Sequence, residues 1–119
     1  MKPDSKPFGN IYNEKRVEIR PGLERVTVTY NDKTMLCYFF IKKGAVLEFH
    51  RHEAIQNGII IKGKVCFTKD DGEHPLEAGD AYLFDSMEGH SLTVLEDTEF
   101  IECFTPAREE YKVDQRGTF

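Results

Sequence analysis

Short apolar runs separated by turn residues dominate this chain. Arg25–Tyr30 reads R-V-T-V-T-Y, β-branched or aromatic at five positions running. Asn31-Asp32-Lys33 breaks that run, and Met35–Ile41 is then almost continuously apolar. Period-two alternation predicts a strand with one wet face, and an unbroken apolar run predicts one covered on both. The series continues through Val46–Phe49, Gly58–Ile61, Lys64–Thr68, Tyr82–Phe84, Ser91–Leu95 and Glu99–Thr105. Asp70-Asp71-Gly72-Glu73 is the strongest hairpin signal, and Gly63, Ala78-Gly79-Asp80 and Glu96-Asp97-Thr98 mark further turns. Nothing carries a sustained helical period. Many short strands with frequent turns predict an all-β antiparallel sandwich or barrel.

Ahead of Pro21-Gly22 the pattern weakens. Met1–Asn10 holds two prolines and a glycine and reads as a loose arm. Val17 and Ile19 alternate well enough for an edge strand, and a half-apolar arm could equally cross to a second subunit. Residues 1–20 are therefore expected to be an arm or edge strand, swapped in a dimer or not, and residues 21–119 a single barrel domain. A chain of 119 residues, 39% hydrophobic and 31% charged, is long enough for one soluble core.

Charge removes some partners. The net charge is −5 without any run of Lys or Arg, which argues against nucleic acid or an anionic membrane. Lys42-Lys43 and Lys62-Gly63-Lys64 read as solvated turns. No apolar run reaches spanning length, and Met1–Ser5 is too polar for a signal peptide. Cys37, Cys66 and Cys103 are odd in number, lack C-x-x-C spacing and sit in apolar runs, so free thiols and a cytoplasmic home are expected.

The candidate chemistry begins at His50-Arg51-His52. On an extended strand, residues two apart share a face, so the pair would present two imidazoles side by side, a geometry a metal can use. His90 supplies a third after the loop Asp85–Gly89, opening the strand Ser91–Leu95. Any one of these, alone, is more often a surface or core histidine; together they favour a metal.

With His90 in view, the two segments resemble the paired motifs of the cupins. G-x5-H-x-H-x3/4-E-x6-G fits at Gly44, His50, His52 and Gly63, with Gln56 where most cupins carry Glu; G-x5-P-x-G-x2-H fits at Gly79 and His90, with Asp85 and Met87 in place of Pro and Gly. The resemblance implies a single-domain cupin, an antiparallel jelly-roll barrel or double-stranded β-helix, with Gln56 as a fourth ligand. Three neutral imidazoles and an amide oxygen suit a divalent first-row metal: nickel, zinc, iron, cobalt or manganese. Gln in place of Glu leaves the charge of the dication uncancelled, which favours an anionic oxygen as its guest.

The last strand is informative by itself. Alternation puts Phe100, Glu102 and Phe104 on one face and Ile101 and Cys103 on the other. An inward carboxylate between aromatics is costly unless paired, solvated or functional. Arg108, past Pro106, could fold over the barrel mouth to pair with Glu102 or grip a carboxylate; a surface Glu and an Arg in a short acidic helical turn is the plainer alternative.

The pattern E-x-F-x-P-x-R-E-E behind a Gln-containing motif resembles the small cupins of pectin and alginate degradation that linearise unsaturated uronates. That resemblance implies metal ligands at His50, His52, Gln56 and His90, acid–base work at Glu102, uronate binding by Arg108 and ring packing by Phe104. It departs at Glu102, where Asp is usual, and the loop carrying Asp85 and Met87, together with Glu48 beside the histidines, is a further candidate for reshaping the pocket. The expected activity is conversion of 4,5-unsaturated uronate monosaccharides to their open-chain keto form by a homodimer. Another metal-dependent isomerase or dioxygenase, or a sugar-binding module without turnover, is the alternative.

Overall fold

The run before Asn31 becomes β2 (Leu23–Tyr30), and the apolar run after it becomes β3 (Met35–Ile41). A computed structural model describes residues 4–113 and 115. Its remaining strands are β1 (Val17–Arg20), β4 (Val46–His50), β5 (Ile55–Lys62), β6 (Lys64–Lys69), β7 (Gly72–Glu77), β8 (Ala81–Phe84), β9 (His90–Val94) and β10 (Thr98–Thr105), followed by one helical turn, α1 (Glu109–Lys112). All strand pairs are antiparallel. One sheet has the order β1-β2-β3-β10-β5-β8 and the other β4-β9-β6-β7. This is an antiparallel jelly-roll barrel, the architecture that the resemblance implies.

The core fills the space between the sheets. Phe39, Ile60, Phe84 and Phe100 from the larger sheet meet Val65, Phe67, Leu92 and Val94 from the smaller. Burying one such Phe contributes about 1.5–3 kcal/mol, so the aromatic and branched residues that set the strand pattern also hold the sheets together. Gly63 joins β5 to β6 at φ 94°, and a Cβ there would lie 2.3 Å from Thr98 Oγ1. Only glycine turns the chain in that space.

Register decides what faces the interior. β10 lies between β3 and β5, and its inward residues form three rows: Phe100 between Phe39 and Ile60, Glu102 between Cys37 and Gly58, Phe104 between Met35 and Gln56. The alternation expected of Glu99–Thr105 is therefore the one observed. Glu102 enters the interior flanked by a thiol and a glycine.

The described part of the arm packs on its own chain. Lys6 and Tyr30 exchange backbone hydrogen bonds of 2.8 and 2.9 Å, and the buried Lys6 ammonium pairs with Glu14 and donates to the Val28 carbonyl. Lys112 Nζ lies 2.8 Å from Asp4 Oδ2 across the same edge. The edge strand expected near Val17 and Ile19 is β1, paired with β2. Met1–Pro3 of the expected arm lie outside the described residues. Cys37, Cys66 and Cys103 are all free, and no described helix is long and apolar enough to cross a membrane.

Candidate metal centre

Two strand ends and one loop bring the imidazoles together. His50 closes β4, His90 opens β9, and the two are cross-strand partners with rings 4.5 Å apart. His52 stands two residues beyond the end of β4, not on it as alternation predicts, because the chain turns there to enter β5. Its ring nevertheless comes within 5.5 Å of His50 and 5.4 Å of His90. One ligand atom from each histidine lies within 4.8 Å of the others. The fourth histidine, His74, stays on the β6–β7 hairpin with Asp71.

Backbone carbonyls orient all three rings. His50 Nδ1 lies 2.9 Å from Glu48 O, His52 Nδ1 2.8 Å from Ala54 O, and His90 Nδ1 2.9 Å from Glu88 O. A carbonyl only accepts, so each Nδ1 carries the proton and each Nε2 keeps its lone pair. Burial pushes His90 down to about 4, and burial followed by the charge on Arg108 lowers His52. These two rings are neutral near pH 7, the state a metal needs. Phe84 stacks on His90 at 4.2 Å and 11°.

Gln56 is the fourth predicted ligand. It lies in β5, which begins at Ile55, earlier than the apolar run indicates, and is buried. Its Oε1 stands 2.9 Å from His52 Nε2, while its Nε2 donates to Glu102 Oε2 at 2.5 Å. Two acceptors thus face each other with no proton between them. Among the described residues, His90 Nε2 is buried with no hydrogen-bond partner. A cation resolves both problems: two ligand bonds of ~2.1 Å at a right angle put their donor atoms ~3 Å apart. His50, His52, His90 and Gln56 fit a divalent transition metal.

Glu102 is 3% exposed and receives a second donor, the Tyr82 hydroxyl, at 2.5 Å on the same Oε2. Burial raises its carboxyl to about 7, against the opposing pull of Tyr82, Gln56 and the charge on Arg108. Such a group can both hold and release a proton near neutrality.

Arg108 reaches the mouth but not Glu102. Nη1 donates to Tyr111 Oη at 3.1 Å and Nη2 pairs with Glu110 Oε2 at 3.0 Å, while the guanidinium stacks over Tyr111 at 4.3 Å and lies 5.3 Å from the centre of Phe104. The alternative of an Arg108–Glu102 pair is therefore corrected: α1 supplies a nearer carboxylate. Glu48 is corrected too, since it faces outward against Arg20 at 2.5 Å. Met87 takes the left-handed conformation, φ 64°, at the motif position where cupins carry Gly, and donates its N–H to His52 O at 2.7 Å.

His50, Gln56, His90, Glu102, Phe104 and Arg108 line one cavity of about 40 Å³, and His52 flanks it. All seven sequence-derived residues converge. Tyr82 and Tyr111 do not appear in the sequence-derived set. The signal for Tyr82 is faint: alternation with Phe84 turns it inward, where a phenol needs a partner. Tyr111 has no such signal.

Comparison with known proteins points the same way. The family model described as a cupin domain matches residues 37–102. The pectin degradation protein KdgF of Dickeya dadantii (strain 3937) is 27% identical over 96 residues, 79% of this chain and 87% of that protein. KdgF from Halomonas sp. superposes with a TM-score of 0.81 at 26% identity, covering 87% of this chain and 97% of that one. An RmlC-like cupin from Shewanella frigidimarina NCIMB 400 gives 0.85 at 24%, covering 91% and 98%.

Proposed function

The chain belongs to the cupin family, and from that premise we propose that it is a metal-dependent enzyme that linearises 4,5-unsaturated uronate monosaccharides. The observation that carries the reading is the convergence on one cavity of three imidazoles, an amide oxygen, the buried carboxyl of Glu102 and the guanidinium of Arg108. The likeness to a pectin degradation protein supports it. His50, His52, Gln56 and His90 would hold the metal, which when bound supplies Lewis-acid stabilisation of negative charge developing on a substrate oxygen.

The reaction is an isomerisation. The hemiacetal C1–O5 bond opens as the C1 hydroxyl loses its proton, leaving an enolate at C5 that becomes a ketone when C4 takes a proton up. Glu102, close to its own proton balance at neutral pH, would accept the first proton and supply the second. Arg108 would hold the uronate carboxylate in place of Glu110, and Phe104 would pack on the ring. A cavity of about 40 Å³ holds an ion and a few waters. The sugar therefore enters by displacing Glu110 from Arg108 and parting the Arg108–Tyr111 contact. A homodimer and a reducing cytoplasm complete the reading; the three free thiols support the latter.

The test mixes metal-analysed protein with unsaturated galacturonate and follows loss of the ring alkene's ultraviolet absorbance against the spontaneous rate. Acceleration by the wild type, absent in His50→Ala, is expected. No acceleration by folded, metal-loaded protein overturns the activity. Glu102→Gln should lose turnover with metal content intact, and full activity in that variant removes Glu102 as the acid–base group. Light scattering at micromolar concentration should give the mass of a dimer; a single monomeric peak overturns that part.

A further inference from the structure

Tyr82 reaches Glu102 across an intervening strand. Glu102 of β10 is the cross-strand partner of Gly58 in β5, and Gly58 is the partner of Tyr82 in β8. A phenol two strands away meets the carboxylate only because the residue between has no side chain. A Cβ on Gly58 would lie 2.7 Å from the Tyr82 hydroxyl and 2.3 Å from Ile101 O. The Tyr82 ring is fixed by Phe67 at 4.6 Å and Phe84 at 5.5 Å.

The hydroxyl arrives at the oxygen that also serves Gln56. Glu102 Oε2 accepts from both Tyr82 Oη and Gln56 Nε2, each at 2.5 Å. An amide side chain has two ends of nearly equal shape, and only the oxygen end suits a metal. The bond from Gln56 Nε2 to Glu102 turns the amide oxygen toward His52 Nε2. On its other flank, Glu102 faces Cys37, which makes no bond to it. Among the described residues, Tyr82 is the remaining donor that fixes where Oε2 stands.

We propose that Tyr82, passing over Gly58, is a positioning residue of the metal centre: by anchoring Glu102 Oε2 it holds the Gln56 amide with its oxygen toward the three imidazoles. Partners that orient metal ligands in this way typically change metal affinity by about 10–100-fold when removed. The inference rests on the proposed metal site but not on the identity of the substrate.

The experiment is titration of the metal-free full chain with Co²⁺, reading both dissociation constant and visible absorption spectrum. Tyr82→Phe keeps the ring and removes only the hydroxyl. Its affinity should fall about tenfold, with a spectrum shifted in the direction of Gln56→Leu. In a Gln56→Leu background Tyr82→Phe should cause no further loss, because the ligand it positions is gone. Glu102→Leu, which removes the shared acceptor, should weaken Co²⁺ at least as far as Tyr82→Phe. Wild-type affinity and spectrum in Tyr82→Phe overturn the proposal, as does full additivity with Gln56→Leu, which would mark a merely structural tyrosine. Failure of the wild type to bind Co²⁺ overturns the metal reading itself, and with it the proposal.

Discussion

Gln56 Oε1 and His52 Nε2 face each other at 2.9 Å, and neither has a proton to give. The Ala54 carbonyl takes the imidazole proton on one side, and the Glu102 carboxylate takes the amide hydrogen on the other. Left alone, two opposed lone pairs repel; with a dication beside them they become two of its ligands. The expense of assembling buried acceptors is the clearest physical sign that the site is built around a positive charge.

Metal should therefore stabilise the fold. At a free concentration one hundred times the dissociation constant, linkage contributes about 2.7 kcal/mol. For a domain of this length each kcal/mol moves the melting temperature by roughly 4 °C, so Ni²⁺ or Co²⁺ added to metal-free protein should raise Tm by about 10 °C. His90→Ala should show no such rise. Calorimetry checks it, and equal shifts in both proteins would place the metal elsewhere.

Under the proposed function, the contact between Arg108 and Glu110 is one that a substrate carboxylate would have to replace. Exposed pairs of this kind are worth about 0.2–1 kcal/mol, so Glu110→Gln should lower KM for the uronate by roughly 1.4- to fivefold with kcat unchanged. Arg108→Ala removes a charge-assisted bond of about 1.5–3 kcal/mol and should raise KM at least tenfold. Steady-state kinetics on the two variants check both signs. A KM that rises in Glu110→Gln would show that Glu110 supports the bound sugar instead of standing in for it.

Most of this site was legible because its parts are short-range. The inward turn of Glu102 follows from period-two alternation and the place of Arg108 from the Pro106 turn, while the set His50, His52, Gln56 and His90 follows from the resemblance to the cupin motifs. What was not legible depends on sheet order. Nothing in the neighbourhood of Tyr82 says that β8 lies beside β5, or that Gly58 will stand between Tyr82 and Glu102. The short acidic helical turn at Arg108 is one of two readings of that segment, and the pairing with Glu110 decides for it over a bond to Glu102, a choice that rests on a single turn too brief to leave a periodic pattern. His52 left its strand because β4 ends at His50, and boundaries are where alternation is least informative.

Met87 offers a stability test independent of catalysis. A left-handed L-residue costs about 1–2 kcal/mol, and glycine returns about 0.5–1 kcal/mol of that as unfolded-chain entropy. Met87 is 49% exposed, so its removal gives up about half of a methionine's burial, roughly 1 kcal/mol. The opposing contributions nearly cancel, and Met87→Gly should stay within about 1 kcal/mol of wild type in urea unfolding, with Co²⁺ affinity preserved. A loss well beyond that would mean that the methionine side chain, not the turn geometry, holds the rim together.

The carboxyl of Glu102 gives the protein a pH dependence of unusual sign. Its proton affinity rises from 4.5 in the open chain to about 7 when buried, so the native state holds the proton more tightly than the unfolded state. The stability this supplies is complete below pH 4.5 and is lost as pH climbs toward 7, about 1.4 kcal/mol per unit and about 3 kcal/mol in all. His90 works in the other direction: its proton affinity falls from 6.5 to about 4 on folding, so its contribution is lost as pH drops through that range. The two slopes oppose one another between pH 4.5 and 6.5. In metal-free protein, Glu102→Gln removes one of them. Its stability relative to wild type should therefore grow steadily from pH 4.5 to 7, by about 3 kcal/mol, when both are unfolded in urea across that range. A difference that stays constant with pH would mean that Glu102 is as acidic in the folded protein as in the open chain. The proton-transfer role assigned to it would then need a different residue.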